Sequence, residues 1–100
     1  MAVVLSFSWA GATPAQYDAV RDLVRWEEQT PDGAVLHVAW FDADGLRVTD
    51  VWKAEDDFNR FMQERLAPAI EKVGIEGKPE FGFTAMHRRF VAPGVTGAAS

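Results

Sequence analysis

Two histidines, a carboxylate and one tyrosine are the side chains of this sequence best suited to moving a proton. His37 and His87 both fall in apolar stretches that read as strands. Imidazole titrates near neutrality, so it serves as acid or base without a large shift. Asp50 stands between Val48 and Trp52 on an otherwise apolar strand face. A carboxylate placed there needs a hydrogen-bonding partner. Tyr17, the only tyrosine, lies on the apolar stripe of a helix. Its hydroxyl can reach the core edge or donate to a ligand.

The segment around Asp42–Gly45 reads as a hairpin turn, with Gly45 free to take positive φ. A loop centred on Ala43 and Asp44 sets His37 opposite Asp50. A turn at Asp44-Gly45 instead sets His37 opposite Trp52 and diagonal to Asp50. Either register puts His37, Asp50 and Trp52 on one face of the ribbon. A His–Asp hydrogen bond would satisfy the carboxylate and choose the imidazole tautomer. The same pair can also be purely structural, and both readings stand at this level.

Trp52, Phe41, Phe58 and Phe83 are placed to wall a flat apolar cavity, of a kind suited to an aromatic or polyketide-like molecule. Ordinary core packing explains each of them equally well. Trp9 and Trp40 read as packing or interface residues. A facial triad of His37, His87 and a carboxylate would suit a metal, but the histidines sit on different strands and nothing in their spacing joins them. The expectation is therefore no metal. The sequence has no Gly-rich phosphate loop, and Asp42, Asp44 and Gly45 make too short a set for a calcium loop.

These side chains are carried by an alternation of strand and helix signals. Ala2 to Trp9 alternates and reads as a strand. Thr13-Pro14 starts a helix, with Thr13 as cap, Pro14 at the first position and Gln16 at capping-box spacing. The helix is expected to end near Glu28, before a turn at Pro31-Asp32-Gly33. Trp26, half a turn away from Tyr17, would then face solvent or a partner. Ala34 to Asp42 and Leu46 to Lys53 form the hairpin. Phe58, Phe61, Met62, Leu66, Ala69, Ile70 and Val73 make one helical stripe. Glu55, Asp56 and Asp57 crowd its first turn, Pro68 should kink or divide it, and Gly74 suits its C-cap. Glu80 to Phe90 is the expected fourth strand, with His87 on the same face as Phe81 and Phe83. Ala92 to Ser100 is expected to be a mobile tail.

The order β-α-β-β-α-β is ferredoxin-like, an α+β fold with a four-stranded antiparallel sheet. At 100 residues it makes one domain, expected over 1–91 with the tail at 92–100. Two helices cover only one face of such a sheet. The other face would carry Val4, Leu36, Val38, Trp40, Val51 and Met86, an apolar patch that a two-fold copy would bury. A homodimer is therefore expected.

Composition removes several function classes. The formal charge is −5, and Arg88-Arg89 is too short to form a basic patch, so a nucleic-acid partner is not expected. No apolar run reaches the about 20 residues of a membrane span. Absence of cysteine excludes disulfides and thiolate metal sites and fits a cytoplasmic protein.

The run from His37 through Ala39-Trp40-Phe41-Asp42-Ala43-Asp44-Gly45 to Asp50-Val51-Trp52 resembles the hairpin of the small dimeric α/β-barrel proteins. The run Phe58-Asn59-Arg60-Phe61-Met62-Gln63-Glu64-Arg65-Leu66-Ala67-Pro68-Ala69 resembles their second helix. The likeness spans residues 2 to 90. It implies two ferredoxin-like sheets packed face to face with helices outside, and a pocket between sheet and helices. Members of that superfamily include cofactor-free antibiotic-biosynthesis monooxygenases, polyketide cyclases, haem-handling enzymes and proteins with no known reaction, so fold alone does not choose an activity.

Three functions follow as expectations. The first is a small-molecule enzyme that oxygenates, cyclises or isomerises an aromatic or polyketide-like metabolite without a cofactor. His37 would be its general base, Asp50 the orienter, His87 a further catalytic candidate, and Trp52, Phe41, Phe58, Phe83 and Tyr17 the substrate contacts. The second is a binding protein for a hydrophobic metabolite, and the third a structural dimer module.

Overall fold

Alternation along the first strand decides where the core forms. In β1 (Val3–Ala10) Leu5, Phe7 and Trp9 are buried, while Ser6 and Ala10 are exposed on the other face. In the computed structural model, which describes residues 1–97 and 99–100, β1 lies inside a four-stranded antiparallel sheet of order β2-β3-β1-β4. The other strands are β2 (Ala34–Asp42), β3 (Gly45–Trp52) and β4 (Glu80–Ala85). This is the ferredoxin-like arrangement, with the helices on one face.

The hairpin adopts the register with His37 opposite Asp50. Ala43 and Asp44 form the turn, and Asp42 Oδ1 accepts from the Asp44 backbone N–H at 2.9 Å. Gly45 has φ 128°, and a Cβ there would stand 2.4 Å from the Trp9 carbonyl oxygen. Only glycine lets the hairpin lie this close to β1.

Helix α1 (Pro14–Val24) begins with the anticipated capping box: Thr13 Oγ1 accepts from Gln16 N, and Gln16 Oε1 accepts from Thr13 N. It ends four residues before the expected Glu28. Arg25 takes the left-handed conformation at φ 59° and closes the helix on the Arg21 carbonyl. Such a residue costs about 1–2 kcal/mol outside glycine. Compensation comes from the second helix, where Arg65 Nη2 donates to the carbonyls of Val24 and Gln29 at 2.9 and 2.8 Å.

The second helical run divides as Pro68 requires. Helix α2 (Glu55–Phe61) passes into a π-helical turn (Met62–Leu66) and then α3 (Ala67–Val73). Pro68 has no N–H for the carbonyl four residues back. The Ala67 N–H reaches the Met62 carbonyl, five residues earlier, and the chain widens there rather than breaking. Gly74 ends the helix with φ 81°.

The fourth strand is shorter than expected from the sequence. Ala85 pairs with Val3, and the Met86 N–H donates to the Ala2 carbonyl. The strand ends at Ala85, and His87 lies beyond it, exposed. Leu5, Phe7, Trp9, Val48, Trp52, Phe58 and Phe61 form the centre of the core between sheet and helices.

Candidate functional site

Asp50 is the one buried charged side chain among the described residues, 6% exposed. It survives there because both carboxylate oxygens are occupied. Trp52 Nε1 donates to Oδ2 at 3.0 Å, and His37 Nδ1 lies 2.7 Å from Oδ1. Trp52 reaches it because residues two apart on a strand share a face. His37 reaches it across the hairpin.

The opposite ring nitrogen, His37 Nε2, is 2.7 Å from the hydroxyl of Tyr17. The phenol ring lies nearly parallel to the imidazole, at 5° and 6.1 Å between centroids. Helix α1 thus completes a continuous chain, Trp52–Asp50–His37–Tyr17. Burial first, and then the Glu27 carboxylate, push the Tyr17 phenol up to about 12, so it keeps its proton at neutral pH.

The chain opens on a cavity of about 450 Å³ between the sheet and the helices. This lies within the range of small-molecule sites. Tyr17, His37, Asp50, Trp52 and Phe58 all line it. The remainder of the wall is largely apolar, from Leu5, Val48, Phe61 and Ile70 among others. The tail meets this site as well: Val95, Thr96, Gly97 and Ala99 border the cavity.

The other candidates are placed elsewhere. Phe41 is not part of the wall; it packs edge-on against Tyr17 at 6.4 Å and 90°. Phe83 likewise supports Phe58 from behind, at 5.7 Å. His87, exposed beyond β4, does not join His37. No group of three or more His, Cys, Asp or Glu side chains suited to a metal forms among the described residues.

Trp26 is the residue that sequence reasoning left out. The left-handed turn at Arg25 folds it back onto the site, 5.7 Å from the Tyr17 ring and 5.4 Å from the His37 ring. Its Nε1 is buried without a hydrogen-bond partner among the described residues. Helical periodicity placed it half a turn from Tyr17, and no glycine marks the reversal that brings the two together.

No protein-family profile and no curated protein matches this chain. Solved structures do. SnoaB, a cofactor-independent oxygenase from Streptomyces nogalater, is 22% identical over 92% of this chain and 95% of its own, with TM-score 0.56. A monooxygenase from the gene ActVA-Orf6 of Streptomyces coelicolor, in complex with the ligand nanaomycin D, is 16% identical over 91% of each chain, with TM-score 0.58. A protein of unknown function from Nitrosomonas europaea is 14% identical over 93% of this chain and 95% of its own, at 0.60. These likenesses show the fold alone: the ferredoxin-like β-α-β-β-α-β arrangement of this chain is shared with the cofactor-independent oxygenase and the monooxygenase.

Proposed function

We propose that the protein is a small-molecule enzyme in which His37, oriented by Asp50, takes a proton from a flat aromatic or polyketide-like metabolite held in the cavity. The observation that carries this reading is a hydrogen-bond chain that runs from buried Trp52 and Asp50 through exposed His37 to half-buried Tyr17, all of them lining one largely apolar cavity. A carboxylate behind an imidazole fixes its tautomer and steadies the imidazolium that forms on proton transfer. Trp52 and Phe58 supply the apolar wall, with Phe41 and Phe83 behind it.

Removing a proton from an electron-rich ring system leaves an anion that reacts without a cofactor. It can meet dioxygen directly: a ring methylene becomes a carbonyl, one oxygen atom stays, and the other leaves as water with the two methylene hydrogens. The same anion can instead close a ring or shift a double bond. The likeness to a cofactor-independent oxygenase and a ligand-bound monooxygenase supports oxygenation as the first chemistry to assay. The proposal includes a homodimer joined through the open sheet face, where Leu36, Val38 and Trp40 stand about half exposed.

The test is oxygen uptake and product formation with hydroxylated polycyclic aromatic substrates. His37→Ala should lower turnover by about 10²–10⁴-fold while the far-ultraviolet spectrum and oligomeric state stay unchanged. Unchanged turnover would remove His37 from the mechanism. A variant that loses affinity alone, with no turnover in the parent protein, would make this a binding protein.

A further inference from the structure

Each hydrogen bond in the chain has a direction set by its neighbour. The indole N–H of Trp52 can only donate, so Asp50 Oδ2 accepts from it. In the resting state that the proposed general base requires, a carboxylate at Asp50 beside a neutral imidazole, His37 Nδ1 donates to Oδ1. The neutral ring then keeps one lone pair, on Nε2, and Tyr17 Oη at 2.7 Å donates into it. The imidazole thus has no lone pair left for a ligand. Acceptor capacity at the cavity end of the chain belongs to the Tyr17 oxygen.

We infer that Tyr17 is the catalytic residue that touches the substrate, and that the site selects molecules presenting a phenolic or enolic hydroxyl to it. This deepens the proposed function and rests on His37 and Asp50 acting as the base. The substrate O–H bond breaks and its proton passes to Tyr17 Oη, while the proton already on Tyr17 moves to His37 Nε2. The products are a substrate oxyanion, a neutral tyrosine and an imidazolium paired with Asp50. No electrons change hands in this step.

Two further observations agree with this role. Burial and Glu27 keep the phenol protonated, so Tyr17 has a proton to pass on. Its ring is also held in place, stacked on His37 and met edge-on by Trp26 and Phe41. A hydroxyl donor can align with a fixed phenol oxygen, whereas a C–H acid makes only a weak hydrogen bond there.

The experiment uses the full chain and two probes of nearly equal shape, 4-nitrophenol and its methyl ether 4-nitroanisole. The unaltered protein should bind the phenol about tenfold more tightly, the worth of one good hydrogen bond. Tyr17→Phe should level the two affinities. In parallel, ring-nitrogen resonances of His37 should report an Nδ1–H tautomer in the free protein and an imidazolium when the phenol binds. A preference for the phenol that persists in Tyr17→Phe would overturn the inference and leave His37 as the direct base. A His37 ring that stays neutral with phenol bound would overturn both the relay and the base. Equal affinities in the unaltered protein, or no binding of either probe, would also overturn the inference.

Discussion

The two faces of one sheet use the same alternation for opposite ends. On the helix-covered face, Leu5, Phe7, Val48 and Trp52 are buried beneath Phe58 and Phe61. On the open face, Leu36, Val38 and Trp40 remain 45–47% exposed, beside polar Ser6, Thr49 and Arg47. The covered face nevertheless holds the buried charge. A carboxylate is tolerated there because Trp52 and His37 occupy its oxygens, and the apolar bed then keeps water from competing. Apolar surface in this protein thus encloses a polar chain on one side and stays open on the other, where the proposed dimer would bury it.

The largest effect that would break this contrast lies in the covered face. Phe58 is 2% exposed and meets Trp52, Phe81 and Phe83 at ring distances of 5.5, 5.5 and 5.7 Å. Phe58→Ala should cost about 3–5 kcal/mol in urea unfolding. A loss below about 1 kcal/mol would show a site able to collapse around the missing ring.

An alkaline titration probes the polar chain itself. With a single tyrosine in the sequence, the tyrosinate absorption band reports Tyr17 alone. Its midpoint should lie near 12 rather than at the ordinary 10.0. Because the folded protein holds this proton more tightly than the unfolded chain, the associated stability is fully present below pH 10 and is lost as pH rises through about 12. Stability should fall across that window, and Tyr17→Phe should lack this component. A midpoint at 10 would mean a hydroxyl in contact with water.

On the open face, Trp40→Glu should change monomer folding by no more than about 0.5 kcal/mol. It should nonetheless shift the sedimentation profile from dimer to monomer. An unchanged profile would move the interface away from Trp40.

Much of this arrangement was legible in the sequence because it depends on local rules. The capping box at Thr13, the glycine at the hairpin and the helix stop at Gly74 are set within a few residues of chain. The strand period of two put His37, Asp50 and Trp52 on one face before any register was chosen, and the observed register is one of the two anticipated. Pro68 announced the division of the second helix but not its form, a π-helical turn.

The rest needed long-range contacts. The strand pairing of β4 with β1 ends at Ala85, which leaves His87 outside the sheet. The stop of α1 at Val24 depends on Arg65, 41 residues further along, whose guanidinium holds the carbonyls around the reversal. That reversal brings Trp26 onto Tyr17 and His37. Sequence alone determined which side chains could move a proton and the strand face that carries two of them, His37 and Asp50, beside Trp52, because strand and cap geometry are properties of neighbouring residues. Only the tertiary structure decided that the Tyr17 hydroxyl meets His37 and that a cavity opens beside them. Helix-on-sheet packing fixes such distances through the volumes of side chains remote in sequence.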